Sequence, residues 1–316
     1  MPDAPLFTVF TPTYNRAHTL HRVFHSLCAQ TLRDFEWLVV DDGSTDNTRE
    51  LIENWIKRAD FPICYIEQDH SGKHIAHNRA VQEARGQFFL TLDSDDACVP
   101  QALERMAYHW NTIPYSVRTQ YSGVSGLCSD QHGRIISDQF PSDRLDPTLH
   151  ERYYMYRHRG EGWGSKLTEI VRKFPFPEIK GTNFIPEGVV WFAIAKTYKS
   201  RCVNEILRIY YVDDNETGAT LSTKKGLGDN AAGRLYYYVW QLNNDLEYFI
   251  HSPIPFLKAA VLVPILAHFA GQRLNHVFQS LHTVQAKSLV LLALPISLFL
   301  YVIDRFRTLF INMVPN

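Results

Sequence analysis

The amino-acid sequence predicts an α/β fold, with a mainly parallel central sheet flanked by helices and a C-terminal helical appendage. Three observations lead to this prediction. Strand patterns alternate with helix patterns through roughly the first hundred residues. Polar side chains cluster directly after the predicted strands. Roughly the last ninety residues lose the alternation and carry long apolar runs instead.

The early strands are predicted from short apolar runs, and the helices from apolar residues at helical spacing. The predicted strands are Leu6–Thr11, Phe35–Val40, Ile63–Ile66 and Phe88–Leu92. The predicted helices are one carrying Leu20, Val23, Phe24 and Leu27, one after Asn47, one over about Lys73–Ala84, and one from Pro100 to about Asn111. Strands separated by helices favour a parallel sheet, whose ligands collect at the carboxyl ends of the strands.

The regular alternation then stops. We expect a hairpin over Tyr121–Ile136 around Gly133, a loop over Asp138–Asp146, a helix over Ile185–Tyr198 and a strand over Cys202–Val212. The chain therefore divides into three predicted regions. They are an alternating half at 1–110, an irregular half at 111–225 and a helical, membrane-associated region at 226–316.

Two apolar runs mark the last region, Ala259–Gln272 and Ser288–Ile303, which are interrupted by Pro264 and Pro295. Each is shorter than the roughly 20 residues that a spanning helix needs. We favour helices lying in a membrane interface, and a packed helical subdomain is an equal alternative. The basic residues expected near lipid phosphates are Lys287, Arg305 and Arg307.

The overall charge is balanced, with 32 Lys and Arg against 33 Asp and Glu, so the composition does not indicate nucleic-acid binding. Met1–Pro5 leads into an apolar strand without the features of a signal peptide. The five cysteines are scattered and form no CxxC pair, which is typical of reduced thiols. These features predict a cytoplasmic protein.

An acidic run, Asp93, Ser94, Asp95 and Asp96, follows the fourth predicted strand. Crowded carboxylates repel each other, and a hard divalent cation such as Mn²⁺ or Mg²⁺ relieves that repulsion. A solvated acidic turn is the alternative interpretation. The position at the carboxyl end of a strand favours the metal site.

Other polar groups lie in equivalent places. The turn Asp41–Asp46 follows the second strand, where an aspartate can accept the imide N–H of a uracil ring, although a helix-capping loop is the alternative. Lys73, beside Gly72 at a predicted helix start, is placed to contact phosphate oxygens. Asn78 and Arg79 on the same helix are further candidates.

Four motifs now carry a family resemblance: Thr-Pro-Thr-Tyr-Asn-Arg at 11–16, Val-Val-Asp-Asp-Gly-Ser-Thr-Asp at 39–46, Arg-Gly at 85–86 and Leu-Asp-Ser-Asp-Asp at 92–96. Together they resemble family 2 of the GT-A glycosyltransferases. The resemblance is strong over about residues 6–110 and continues more loosely to about Leu221. It implies a GT-A fold, with a nucleotide-sugar-binding half at 1–110 and an acceptor-binding half at 111–225.

The resemblance also implies roles for individual residues. Asp42 matches the acid that reads the nucleobase, and Asp93 and Asp95 match the DxD pair, with Asp95 the better candidate for direct metal contact. The full set expected to bind the nucleotide sugar is Pro12, Tyr14, Arg16, Asp42, Lys73, Asn78, Asp93, Ser94 and Asp95.

Members of the family invert the anomeric centre, which requires a carboxylate base. Glu187 is the matching residue, although Gly188 stands where the family often has a second acid, and a helix-capping glutamate is the alternative. On the acceptor side, the aromatic face of Trp163 and the charge of Lys166 are candidates for contacts with sugar and phosphate, and a loop rich in aromatics without this role is an equal alternative.

The predicted function is therefore inverting, Mn²⁺- or Mg²⁺-dependent transfer of a sugar from a UDP-linked donor. The acceptor is a saccharide or lipid-linked saccharide, and the enzyme is peripheral on the cytoplasmic membrane face. Two alternatives stay open. A sugar nucleotidyltransferase usually has a Gly-rich loop after the first strand, and this chain has none at 11–16. The other is a non-catalytic nucleotide-sugar-binding protein associated with a membrane.

Overall fold

The structure is a computed structural model that describes residues 4–212 and 228–313, with side chains as far as Asp304. The described chain forms two compact units. The first takes in the chain up to Pro177 and again from Val190 through the last strand. The second takes in Glu178–Val189 and the helices after residue 228. The predicted regions 1–110 and 111–225 thus contribute to the same unit.

One sheet forms the centre of the first unit. Its strands are β1 (Phe7–Thr13), β2 (Phe35–Asp41), β3 (Ile63–Glu67), β4 (Phe88–Thr91), β5 (Ala97–Cys98), β6 (Tyr121–Asp130), β7 (Arg144–Leu145), β8 (Gly162–Leu167) and β9 (Lys199–Tyr210). Their order is β3-β2-β1-β4-β8-β6-β9-β5, and β7 pairs with β9. The strands β1 to β4 pair in parallel.

The helices of the described chain follow the predicted alternation in its first part. They are α1 (His21–Cys28), α2 (Thr48–Ile56), α3 (Lys73–Glu83), α4 (Ala102–Asn111), α5 (Thr168–Val171), α6 (Gly188–Ala195), α7 (Ala231–Asn244), α8 (Pro253–Phe269), α9 (Leu274–Ser280) and α10 (Val284–Met313). Short 3₁₀ helices lie at Tyr115–Gln120 and Leu246–Ile250, and a π-helical turn at Glu151–Met155. The first four predicted strands and helices are confirmed.

The strand β2 shows why the parallel part of the sheet is buried on both faces. All seven of its residues are buried. Because side chains alternate along a strand, Trp37 and Val39 enter one core cluster while Leu38 and Val40 enter the cluster on the opposite face. The first cluster includes the parallel ring pair Phe24–Trp55, with centroids 4.5 Å apart. Helices cover both faces, as parallel sheets require.

The sheet keeps the predicted parallel part, and antiparallel pairs are added to it beyond β4. The strand β8, which sequence patterns did not indicate, pairs antiparallel with both β4 and β6 and joins the two parts of the sheet. Glycines allow this contact: a Cβ on Gly123 or Gly164 would lie 1.9 Å from a carbonyl oxygen of the partner strand. Such long-range pairing leaves little local signal in glycine-rich sequence.

Other predictions of the irregular part need smaller corrections. The predicted hairpin is the long strand β6 followed by a tight turn, with one antiparallel bridge from Ser129 to Ile135. The predicted loop Asp138–Asp146 contains β7. The predicted helix Ile185–Tyr198 is limited to α6, and β9 begins at Lys199, before the predicted strand start.

The second unit contains α7 to α10. Both proline-containing apolar helices are continuous, α8 through Pro264 and α10 through Pro295. The helix α10 supplies an apolar window, Val284–Asp304, of 21 residues, which is longer than the charge-free run Ser288–Ile303 considered in the sequence. Within the described residues this is the one helix long and apolar enough to span a membrane. The side chains of Arg305 and Arg307 lie outside the described part.

Candidate functional site

The candidate site lies at the carboxyl ends of the parallel strands. Since β3, β2, β1 and β4 are neighbours and run in the same direction, the segments that follow them share one edge of the sheet. Tyr14 follows β1, Asp42 follows β2, and Asp93 follows β4. Lys73 begins α3, after β3. The predicted site residues from four separate loops are thus brought to one edge.

The loops after β1 and β2 are held together by hydrogen bonds. Asn15, in the left-handed conformation with φ 54°, accepts at its side-chain oxygen from the Thr45 N–H at 2.7 Å. Its own N–H donates to Ser44 Oγ at 2.8 Å. Asp46 accepts from the N–H of Ala17 at 3.1 Å and from the N–H of Thr48 at the start of α2, also at 3.1 Å. These bonds fix the backbone that carries Tyr14 and Arg16.

Asp42 is buried and organises the loop after β3. Its Oδ1 accepts from Gln68 Nε2 at 2.8 Å and from the Ser71 N–H at 2.9 Å, and its Oδ2 accepts from the Gly72 N–H at 2.8 Å. His70 Nδ1 lies 2.9 Å from Oδ2. A carboxylate offers about four acceptor positions, so these four contacts occupy its capacity. Contact with a nucleobase would require one of these donors to move.

Tyr14 and His70 form a stacked pair beside Asp42. Their ring centroids lie 4.2 Å apart with an interplanar angle of 26°. Tyr14 is 43% exposed, so one aromatic surface remains accessible at the edge where the nucleotide base is expected. Pro12 lies within β1 opposite Val40 and is half-buried. The exposed part of the Tyr14 ring therefore provides a flat apolar surface in the loop that lies beside Asp42.

Asp93 lies between two cations. Its Oδ1 is 2.7 Å from Lys73 Nζ, and its Oδ2 is 3.5 Å from Arg208 Nη2. Burial disfavours the charged form of Asp93, but the neighbouring charges of Lys73 and Arg208 outweigh it and hold the pKa of this carboxyl below its usual value. Asp93 is therefore a carboxylate at neutral pH.

Asp95 is the more open acid of the run. Its carboxylate is 39% exposed and lies 3.6 Å from Arg16 Nη1, a weak ion pair. Its backbone oxygen accepts from Arg22 Nη1 at 3.1 Å, which fixes the backbone while leaving the side chain accessible. Ser94, between the two acids, is buried.

Carboxylate oxygens are the ligands that Mg²⁺ and Mn²⁺ prefer, and Asp93 and Asp95 fit such an ion by chemistry and partial exposure. Within 4–212 and 228–304, no three His, Cys, Asp or Glu side chains converge on a ready-made metal site. A divalent ion at these two aspartates would therefore take its other ligands from substrate or water.

Arg208 is the site residue that sequence reasoning missed. It lies on β9, where Nε donates to the buried Asp96 at 2.8 Å and Nη1 lies 3.2 Å from Glu161. The Tyr211 N–H donates to the second oxygen of Asp96 at 3.3 Å. These negative charges raise the pKa of the guanidinium despite its burial, so it stays charged. No local pattern indicates this role, because Arg208 and Asp96 are distant in sequence.

The comparison with protein families agrees with this geometry. Residues 8–163 match the family model described as glycosyl transferase family 2. The chain carries a family 2 glycosyltransferase domain. The match starts in β1 and ends in β8. It therefore includes the loops described above but not β9, the strand that carries Arg208.

Relatives of this family 2 domain are named as glycosyltransferases. A Campylobacter jejuni enzyme named GalNAc(5)-diNAcBac-PP-undecaprenol beta-1,3-glucosyltransferase is 26% identical over 77% of this chain and 74% of its own length. Bacillus subtilis TuaG, named as a glycosyltransferase of teichuronic acid biosynthesis, is 35% identical over 32% of this chain. The chain spans 40% of the length of TuaG.

A solved structure shows the same fold. Residues 1–349 of Staphylococcus aureus TarS, crystallised with UDP-GlcNAc, align with 91% of this chain and 79% of that chain, at a TM-score of 0.56 and 21% identity. The GT-A fold of the family 2 domain is thereby confirmed.

Three further residues predicted for the family 2 site have internal contacts. Asn78 exchanges two hydrogen bonds with the backbone of Phe176, at 2.8 and 2.9 Å, and so fixes the segment after α5. Trp163 is 5% exposed, and its indole N–H donates to the Thr91 carbonyl at 2.5 Å. Lys166 Nζ lies 4.6 Å from the centre of the Trp191 ring.

These contacts change two expectations. Burial leaves Trp163 almost no open surface on which a sugar ring could stack, so its predicted acceptor role has no support in this structure. The contacts of Asn78 are those of a structural residue. Glu187 is half-buried in the second unit, directly before α6, at the end of the helix where a carboxylate is favoured.

Proposed function

We propose that this chain is an inverting glycosyltransferase that moves a sugar from a UDP-linked donor to a saccharide or lipid-linked acceptor, with Mn²⁺ or Mg²⁺ at Asp93 and Asp95. The observation that carries the proposal is the pair of aspartates at the carboxyl edge of the sheet. One of them is kept ionised by Lys73 and Arg208, and the other is open to solvent.

The protein's own cations support a donor with a diphosphate group. Lys73 begins α3, where the helix dipole also favours anions, and its ammonium contacts Asp93. Arg16 lies beside Asp95. Both cations are partly exposed and can contact diphosphate oxygens. A bound divalent ion would add positive charge to stabilise the departing diphosphate.

A UDP donor is supported by the open face of Tyr14 and by the relatives. UDP-GlcNAc is the ligand in the TarS structure, and TarS is 33% identical to this chain over 103 residues. The Campylobacter jejuni relative is named for transfer to an undecaprenol-linked saccharide, which supports a lipid-linked acceptor. With such an acceptor the enzyme would act at a membrane, and we propose the cytoplasmic face.

In the proposed reaction an acceptor hydroxyl oxygen attacks the anomeric carbon as the bond to the diphosphate oxygen breaks. The hydroxyl proton passes to a carboxylate base, and we assign that role to Glu187. One displacement inverts the anomeric configuration. General-base catalysis of this kind typically contributes about 10²–10⁴-fold to the rate.

The test combines binding and transfer. UDP-sugars are screened for thermal stabilisation with and without Mn²⁺, because a specific ligand raises apparent stability. The best donor is then assayed for transfer to lipid-linked saccharides. We expect Asp95→Asn to abolish metal-dependent stabilisation and transfer, whereas Asp34→Asn, at an exposed aspartate before β2, should change neither.

The outcomes separate the alternatives. Full transfer by Asp95→Asn would overturn the proposed site. Metal-dependent UDP binding without transfer to any acceptor would favour a non-catalytic binding protein. Pyrophosphate release from a nucleoside triphosphate and a sugar phosphate would instead indicate a nucleotidyltransferase.

A further inference from the structure

The helix α10 has an unusual distribution of side chains. Over 284–304, where its side chains are described, its buried side is formed by small or short residues, Ala286, Val290, Ala293 and Ser297, which recur at helical spacing. The hydroxyl of Ser297 donates to the Val261 carbonyl of α8 at 2.8 Å. This hydroxyl therefore lies inside the second unit, where α10 packs on α8.

The opposite side carries the large apolar residues. Leu291, Leu292, Ile296, Leu298 and Phe299 are 58%, 77%, 54%, 64% and 64% exposed. A helix on the surface of a protein in water shows the reverse arrangement, with large apolar residues inward and polar residues outward. Helices in lipid pack through small and hydroxyl-bearing residues and leave large apolar ones outside.

The apolar surface also has the length of a bilayer core. The window Val284–Asp304 has 21 residues, which at about 1.5 Å per residue extend about 30 Å, close to the thickness of the hydrocarbon layer. Only 22% of this window is buried, unlike the core helix of a soluble domain. Its charged residues, Lys287 and Asp304, lie towards the two ends.

We propose that the outward face of α10 is embedded in the hydrocarbon of a lipid bilayer. This extends the membrane association proposed above from contact with headgroups to burial in the acyl chains, and it does not depend on the transfer reaction. A second copy of the chain fits this face less well, because the small residues that allow close helix packing are already used against α8.

The experiment is flotation of the purified full-length chain with phosphatidylcholine vesicles, at low and at high salt, without donor or acceptor. We expect the chain to float with the vesicles in both conditions. Leu292→Glu combined with Phe299→Glu should lower the bound fraction by about tenfold or more, since each change removes apolar surface from the hydrocarbon. Ile250→Glu is the matched control, because Ile250 is 88% exposed in the same unit but lies outside α10.

Three results would overturn the proposal. The first is that the double variant binds vesicles as the parent chain does. The second is that binding needs anionic lipid and is lost at high salt, which indicates headgroup attraction. The third is that the chain does not bind vesicles and forms an oligomer that the double substitution dissociates. Circular dichroism and UDP binding show that the variants are folded, so loss of vesicle binding is distinct from loss of the donor site.

Discussion

Arg208 Nε donates to the buried carboxylate of Asp96 at 2.8 Å, and this bond connects β9 to the acidic run after β4. The same guanidinium lies 3.5 Å from Asp93. Arg208 is therefore a positioning residue: it holds the end of the run and supplies charge to Asp93 without being exposed itself. The two candidate metal-binding acids follow β4, yet their placement depends on a strand far along the chain.

This relationship gives a prediction for stability. Arg208→Met leaves Asp96 buried without its cation, and we expect a loss of about 3–5 kcal/mol in the free energy of unfolding. Arg208→Met combined with Asp96→Leu removes both charges and should recover much of that loss. Urea unfolding measures both, with Arg58→Met, at an exposed arginine, as the control. Equal instability of single and double variants would show that the ion pair is not the cause.

Lys73 is expected to affect the pH dependence of donor binding. Its ammonium helps keep the pKa of Asp93 below the usual value. Lys73→Met should raise that pKa. As the solution is acidified, metal-dependent UDP binding by this variant should therefore be lost at a higher pH than binding by the parent chain. UDP affinity at neutral pH should also fall about tenfold or more, because a charge-assisted contact is lost.

Calorimetric titrations with UDP and Mn²⁺ across the acid range measure both effects of Lys73→Met. Lys73→Arg is the conservative variant and should keep most of the charge effect. An unchanged acid limit in Lys73→Met would show that Lys73 does not control the ionisation of Asp93.

Glu187 is tested by separating turnover from donor binding. Glu187→Gln should lower kcat by about 10²–10⁴-fold because no carboxylate is available to accept the hydroxyl proton, while the Kd for the UDP-sugar stays close to that of the parent chain. Glu178→Gln, at an exposed residue of the same unit, is the matched control. Equal kcat for the two variants would remove Glu187 from the mechanism, and retention of anomeric configuration in the product would exclude a single displacement.

The ion pair of Glu205 should make the stability of the fold depend on pH in the acid range. It accepts two hydrogen bonds from Arg105, at 2.6 and 2.7 Å, and lies 2.7 Å from His109 Nε2. The bonds from Arg105, helped by His109 and against the effect of burial, lower the pKa of Glu205 to about 2. A lowered acid pKa stabilises the fold above the unfolded-state pKa of about 4.3, and this contribution is lost as the pH falls towards 2.

We therefore expect Glu205→Gln to lower the free energy of unfolding at neutral pH by about 1 kcal/mol, a modest value because the side chain is about one-third exposed. The difference from the parent chain should shrink below about pH 4.3 and vanish near pH 2. Thermal unfolding across this range measures it, with the exposed Glu53→Gln as control. A difference that is constant with pH would point to packing rather than charge.

Local patterns were sufficient for the first part of the fold. Apolar periodicity located β1 to β4 and the helices between them, because each element is short, contiguous and buried in a regular way. The same patterns placed Tyr14, Asp42, Lys73, Asp93 and Asp95 after strands that proved to be neighbours. The carboxyl edge of a parallel sheet follows from strand direction alone, so these residues converge without knowledge of long-range contacts.

Long-range packing set the rest. The strand β8, the burial of Trp163 and the bond from Arg208 to Asp96 all join segments distant in sequence, and glycine-rich or single-residue signals do not indicate their partners. Composition shows that residues 288–303 are apolar. Which side of α10 carries the exposed leucines is decided by the packing of Ala293 and Ser297 against α8. Periodicity reports which residues share a face, whereas the neighbour that covers that face is chosen by three-dimensional packing.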